Sequence, residues 1–319
     1  MKARQVYKNF IRRIGRNTFY LLRKIMVRLP YGILTFVAPL FIRVGKLFLK
    51  KRKRVVLENL RAVYKDSRTE REIGSIASAW FDNISLGMIE LIYLIDRPGE
   101  IVKRVSIEGA GNLDEALAKG RGVILLGAHF GDFALVLLRL ALAGYKVNCI
   151  MRRMKDAQFG EYVFDYCKNN GVRIIYSIPY VECVKQSLRC LKNNEVLFIL
   201  LDQNYGDRGR VFVDFFGRPA ATATGPVIFS YRSGAPILPA FAVRDSEKNH
   251  KIIIDPPVKL EAQPEEELSV ERNVEQLTKI IEGYIRRYPQ EWGGWMHKRW
   301  KTKQTDAGQV FKENAERGS

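Results

Sequence analysis

The segment Gly122-Val-Ile-Leu-Leu-Gly127-Ala-His129-Phe-Gly131-Asp132-Phe-Ala134-Leu135 decides how the chain is read. Its apolar run is too short for a core helix and matches a strand buried on both faces, running into a tight turn and then a helix. His129 sits at that junction. Gly127, Ala128 and Gly131 leave room for close approach of backbone and ligand, and a helix amino terminus there favours developing negative charge. An imidazole accepts a hydroxyl proton near neutral pH without an unusual environment. Asp132 lies three residues on, within reach of the ring. Each residue also has a plainer reading: His129 as a packed core histidine, Asp132 as a first-turn acid favoured by the helix dipole.

The same rhythm extends outward. After Pro98, short β-branched or apolar runs alternate with helical stretches: Val105–Glu108, Gly122–Leu126, Lys146–Met151, Val172–Ser177, Glu195–Leu201, Pro236–Val243 and Lys251–Ile254. This predicts an α/β fold with a central, largely parallel sheet flanked by helices. Active groups in such sheets collect where strands end and helices begin. Asp202 and Gln203 follow one run, Arg152 and Arg153 another, so all four are expected at that edge. The guanidinium forks suit a phosphate, as they equally suit a solvated turn. Arg208, Arg210 and Arg218 flank a glycine-containing loop and are further anion-binding candidates. Thr222 and Thr224 precede Gly225-Pro226 and read as a helix start. Upstream, 54–96 reads as two helices broken at 65–68, and Val270–Arg287 as one amphipathic helix before an aromatic stretch.

Charge is distributed unevenly. The 319 residues carry a formal charge of +19, and residues 1–54 hold sixteen Lys or Arg and no Asp or Glu, leaving about +3 for the rest. Apolar and aromatic residues (Phe10, Phe19, Tyr20, Leu21, Leu22) interleave those cations, the pattern of a helix lying at an anionic membrane surface. The uncharged run Leu29–Ile42 is shorter than the roughly 17 to 25 residues a spanning helix needs. No groove-reading element or stacking platform accompanies the charge, which sets nucleic acid aside. Residues 1–54 are therefore expected to anchor an α/β domain of residues 55–301, followed by a polar, disordered tail at 302–319. Four scattered cysteines and three histidines lack metal-site spacing, so no metal is expected.

Several ordered blocks resemble the bacterial lipid A biosynthesis lauroyl/myristoyl acyltransferases and their lysophospholipid acyltransferase relatives. They are Glu58-Asn59-Leu60, Gly127-Ala-His129-Phe-Gly-Asp132-Phe, Asp202-Gln203-Asn204-Tyr-Gly206, Val213 through Pro226, and Trp295-Met-His297-Lys-Arg299-Trp300. The resemblance implies transfer of a fatty acyl chain from acyl carrier protein or coenzyme A to a membrane lipid hydroxyl, and the positive charge of the anchor predicts a body on the cytoplasmic face of the bacterial inner membrane. It implies a general-base histidine, no cofactor beyond the thioester co-substrate, and no acyl-enzyme. The family signature places an acid five residues after the histidine, where this chain has Ala134. Asp202, at the same sheet edge, is the expected partner of His129, with Asp132 the other candidate. A lysophospholipid or phosphoglycolipid acyltransferase, or a non-catalytic lipid-binding relative, fits the same blocks. No Gly-x-Ser-x-Gly elbow supports a serine hydrolase.

Overall fold

The buried strand and its neighbours assemble into a seven-stranded sheet in the computed structural model, which describes residues 2–26, 28–48, 50–64, 66–206, 209–245, 249–261 and 266–303. Four helices come first: α1 (Lys2–Met26), α2 (Tyr31–Phe48), α3 (Lys50–Tyr64) and α4 (Glu70–Leu94). Then α5 (Pro98–Arg104), β1 (Val105–Glu108), α6 (Ala110–Leu117), β2 (Val123–Gly127), α7 (Phe133–Leu142), β3 (Val147–Met151), α8 (Ala157–Asn169), β4 (Val172–Tyr176), α9 (Tyr180–Lys192) and β5 (Val196–Leu200) alternate. The chain closes with β6 (Arg210–Asp214), β7 (Pro219–Ala223), α10 (Gly225–Ser233), β8 (Ile237–Arg244), β9 (His250–Ile254) and α11 (Glu266–Arg287).

The sheet order is β1-β9-β8-β2-β5-β3-β4. Strands β8, β2, β5, β3 and β4 are mutually parallel; β9 pairs antiparallel with β8 and parallel with β1. Each of the seven expected runs is a strand of this sheet; the central ones are apolar enough to be covered on both faces, while the edge strand β1 alternates buried Val105 with exposed Ser106. β2 lies near the middle and is buried throughout. Its alternation feeds two cores: Ile124 and Leu126 pack with Trp80, Val274 and Trp292 on one face. Val123 and Leu125 pack with Leu135, Leu140 and Val172 on the other.

The hairpin β6–β7 forms a separate two-stranded antiparallel sheet. Sequence reading placed a loop there, since its glycines and alternating small residues carry little strand signal. Arg210 opens β6, and Thr222 is a buried β7 residue rather than part of a helix start. Thr224 does precede α10, but its hydroxyl donates to the Gly209 carbonyl at 3.0 Å instead of capping the helix.

The front end is helical. Leu34, Ala38 and Ile42 of α2 are buried, while Phe36 stands 84% exposed. The division at residue 54 falls inside α3. Among the described residues no helix is long and apolar enough to cross a membrane. Most of the expected tail, from residue 304 onward, lies outside the described residues.

α4 begins at a capping box, in which Thr69 Oγ1 accepts from Glu72 N at 3.3 Å and the Glu72 carboxylate accepts from Thr69 N at 2.7 Å. Its Trp80 is 1% exposed and donates its indole N–H to the Trp292 carbonyl at 2.7 Å, tying α4 to the C-terminal segment. Truncation there leaves a cavity and an orphaned carbonyl. Trp80→Ala is expected to lower unfolding free energy by about 3–5 kcal/mol, with a smaller loss for Trp80→Phe, measured by urea denaturation.

Candidate active site

Strand register builds the site. β2 and β5 are parallel neighbours with Gly127 opposite Leu200, so two residues beyond the ladder His129 falls opposite Asp202. The pair closes with His129 Nδ1 2.9 Å from Asp202 Oδ1. Asp202 Oδ2 accepts the indole N–H of Trp292 at 2.8 Å. With its carboxylate occupied by both partners, Asp202 holds the Nδ1–H tautomer and leaves the Nε2 lone pair facing the cavity. Gln203 places its amide nitrogen 3.1 Å from His129 Nε2, the position from which a substrate hydroxyl would offer its proton.

The turn carrying His129 is clamped by the C-terminal segment. Gly131 N donates to the Glu291 carbonyl at 2.8 Å and Gly293 N to the His129 carbonyl at 2.6 Å, with Phe130 bridging Trp292. Gly131 has φ +52, and a Cβ there would lie 2.1 Å from the Ala242 carbonyl oxygen. A side chain at this position would push the turn off β8.

His129 opens onto a cavity of about 1570 Å³. Its deep wall is apolar, with Leu137, Leu138, Val172, Ile174 and Phe198; the mouth carries Arg152, Gln203, His297, Lys298 and Lys301. Val172 starts β4, four residues from its end at the site, so the cavity extends roughly 13 Å below the sheet edge at ~3.3 Å per residue. His297 stands with its ring centroid 6.3 Å from that of His129. Its peptide is fixed by Asn59, whose amide donates to the His297 and Trp295 carbonyls.

Electrostatics favour a charged Asp202 and a basic His129. Burial pulls the His129 pKa down, yet the charge and hydrogen bond of Asp202 outweigh it and hold it above the usual 6.5. Burial pushes Asp202 up, and His129 and Trp292 reverse this to a net depression. His297 is lowered by burial and then by the charge of His129, so it stays neutral as His129 gains a proton. Arg299 is 1% exposed, donates to the Ala221 carbonyl and Thr222 hydroxyl at 2.6 Å each, and is depressed by burial to about 10.

The remaining candidates separate. Asp132 makes no hydrogen bond to His129: it is buried with Oδ2 unpartnered, and burial, reinforced by Glu90, pushes it up to about 6. Arg152 lines the cavity mouth. Arg153 lies over the Tyr176 ring at 4.1 Å and Arg218 over Trp300 at 4.5 Å. Arg210 donates to the Gly206 carbonyl at 2.7 Å. Arg153, Arg210 and Arg218 are not part of the cavity wall, and Arg208 lies outside the described residues. Sequence reasoning did not single out Trp292, His297, Lys298 or Lys301 as site residues. A long-range return of the C-terminal segment brings them in, although the block Trp295–Trp300 was visible as a motif.

The family model for bacterial lipid A biosynthesis acyltransferase matches residues 12–302. The lipid A biosynthesis palmitoleoyltransferase of Escherichia coli (strain K12) is 26% identical over 290 residues, covering 89% of this chain and 90% of that protein. The lauroyltransferase of the same organism is 27% identical over 292 residues, covering 88% and 89%. The phosphatidylinositol mannoside acyltransferase of Mycobacterium tuberculosis (strain ATCC 25618 / H37Rv) is 28% identical over 137 residues, 42% of each chain.

The Asp202 contacts set the sign of one titration. Because Asp202 raises the His129 pKa, His129 is expected to titrate above 6.5 by proton–nitrogen NMR. Asp202→Asn removes the raising charge and leaves desolvation, so the midpoint should move to lower pH. An unmoved midpoint would separate the two residues.

Proposed function

The chain belongs to the bacterial lipid A biosynthesis acyltransferase family, and from that membership we propose that it carries a fatty acyl group from an acyl carrier protein or coenzyme A thioester to a hydroxyl of a lipid A precursor or related lipid. The observation that carries this reading is the Trp292–Asp202–His129 chain at the mouth of an apolar cavity deep enough to take an acyl tail. A protein that only bound lipid would not need a buried carboxylate aligned on an imidazole.

The step follows from the geometry. The acyl tail lies in the cavity, with its thioester carbonyl at the mouth. The acceptor hydroxyl displaces the Gln203 amide and gives its proton to His129 Nε2 as its oxygen attacks the carbonyl carbon. Asp202 stabilises the imidazolium that forms. The tetrahedral intermediate collapses, the C–S bond breaks, and the imidazolium returns the proton to the departing thiolate. Neutral His297 and the displaced Gln203 amide, both lining the cavity, are the side-chain N–H donors assigned to the developing oxyanion. Arg152, Lys298 and Lys301 supply charge for a phosphate on acceptor or donor. Ala134, where the family signature has an acid, is tolerated because strand register delivers Asp202 to the same ring.

The basic, apolar-studded α1 and α2 serve as the membrane attachment, which would leave the body on the cytoplasmic face where both thioesters occur. Phe10, Leu21, Phe36 and Leu40 are exposed among Arg12, Arg13, Arg28 and Arg43, an arrangement suited to acidic lipid.

Acyl transfer by purified protein in detergent, with both thioester donors and a panel of lipid A precursors, lysophospholipids and phosphoglycolipids, tests the reading. His129→Ala is expected to lower kcat by about 10²–10⁴, while total inactivity of wild type on every acceptor would sink the proposal. Val172→Phe should fill the deep end of the cavity and shift donor preference toward shorter chains, read as the kcat/KM ratio between chain lengths.

A further inference from the structure

The link from β4 to α9 and the first turn of α9 expose apolar side chains beside the cavity mouth. Among the described residues beyond α2, seven large apolar side chains stand exposed: Met88, Val102, Leu142, Ile178, Tyr180, Val181 and Tyr231. Three of the seven fall in the tetrapeptide Ile178-Pro179-Tyr180-Val181, at 57%, 60% and 78% exposure. Chance placement would scatter them, as single exposed residues usually are.

The position of this apolar tip gives it meaning. β4 ends at the same sheet edge as β2 and β5, so the link sits at the mouth, where Ile178 and Tyr180 form part of the rim. Phe19 and Met88 also line the cavity, and Met88 is exposed. Cations accompany this segment: Arg152 and Arg153 follow β3, the neighbour of β4, and Lys185 lies in the second turn of α9, with Glu182 in the first.

We propose that the segment Ile178–Val181, at the amino end of α9, is a second membrane-contacting element, inserting among the headgroups of an anionic bilayer so that the cavity mouth opens onto lipid. The proposal rests on the membrane attachment argued above and adds the contact that α1 and α2 do not supply. An apolar tip with cations beside it matches a bilayer interface, where chains lie beneath phosphates. It matches an acidic carrier protein less well, because such a partner is met by the cations and leaves Ile178, Tyr180 and Val181 in water. With the mouth held at the interface, the acceptor's acyl chains stay in the bilayer while its hydroxyl reaches His129.

The full-length protein with Val181→Trp, mixed with vesicles of phosphatidylethanolamine and phosphatidylglycerol containing brominated chains, tests this directly, against wild type for the native tryptophans and Phe10→Trp as a probe of α1. The proposal expects extra quenching at Val181→Trp, and about 5- to 10-fold weaker vesicle partition for Val181→Asp at unchanged thermal stability. Quenching at Phe10→Trp without quenching at Val181→Trp would overturn it and leave attachment through α1 intact. Quenching at neither position would overturn both readings. Unchanged partition of Val181→Asp, with a raised KM for the carrier-protein thioester alone, would overturn it and assign the link to donor docking.

Discussion

The pairing of β2 with β5, in parallel and in register, is the constraint from which the site follows. Gly127 opposite Leu200 leaves the chemistry of the next two residues on each strand to meet beyond the ladder. No loop needs to be trained to bring His129 to Asp202; hydrogen bonds between buried backbones do it, and these are among the least deformable parts of a fold. Gly127 is part of the same arrangement, since a Cβ there would lie 2.6 Å from the Phe198 ring.

Burial then sets the chemistry. A carboxylate sealed from water at Asp202 stays charged only because an imidazole and an indole N–H meet both its oxygens. Asp132 is equally sealed, lacks such partners, and is driven toward its neutral form. Two aspartates of one sheet edge thus acquire opposite character from their surroundings, which explains why only one suits an imidazolium.

The sheet was legible in the sequence because a strand covered on both faces has a contiguous apolar signature, which central runs such as Val123–Gly127 and Val196–Leu200 carried; the edge strand Val105–Glu108 alternates apolar and polar residues instead. The β6–β7 hairpin was not, because Ala220, Ala221 and Ala223 pack by smallness rather than by β propensity. His129 was readable from its strand-to-helix junction. Its partner was narrowed to two acids, since strand order, which decides between Asp202 and Asp132, is a long-range property. The role of Trp292 was hidden for the same reason: ninety residues separate it from Asp202, and an isolated tryptophan in an aromatic stretch says nothing about where its N–H points. Composition marked Arg153 and Arg218 as anion ligands as readily as Arg152, yet two of these guanidinium groups lie over aromatic rings instead.

The brace from Glu291, Trp292 and Gly293 onto the His129 turn carries a temporal consequence. During synthesis the chain leaves the ribosome from its amino end, so the basic helices and then both sheet strands of the site are exposed well before residues 291–293. Until those residues arrive, Asp202 lacks its indole donor and the His129 turn lacks its clamps. The nascent chain therefore presents its basic amino-terminal helices while the His129 turn still lacks its brace, and the complete site is acquired last.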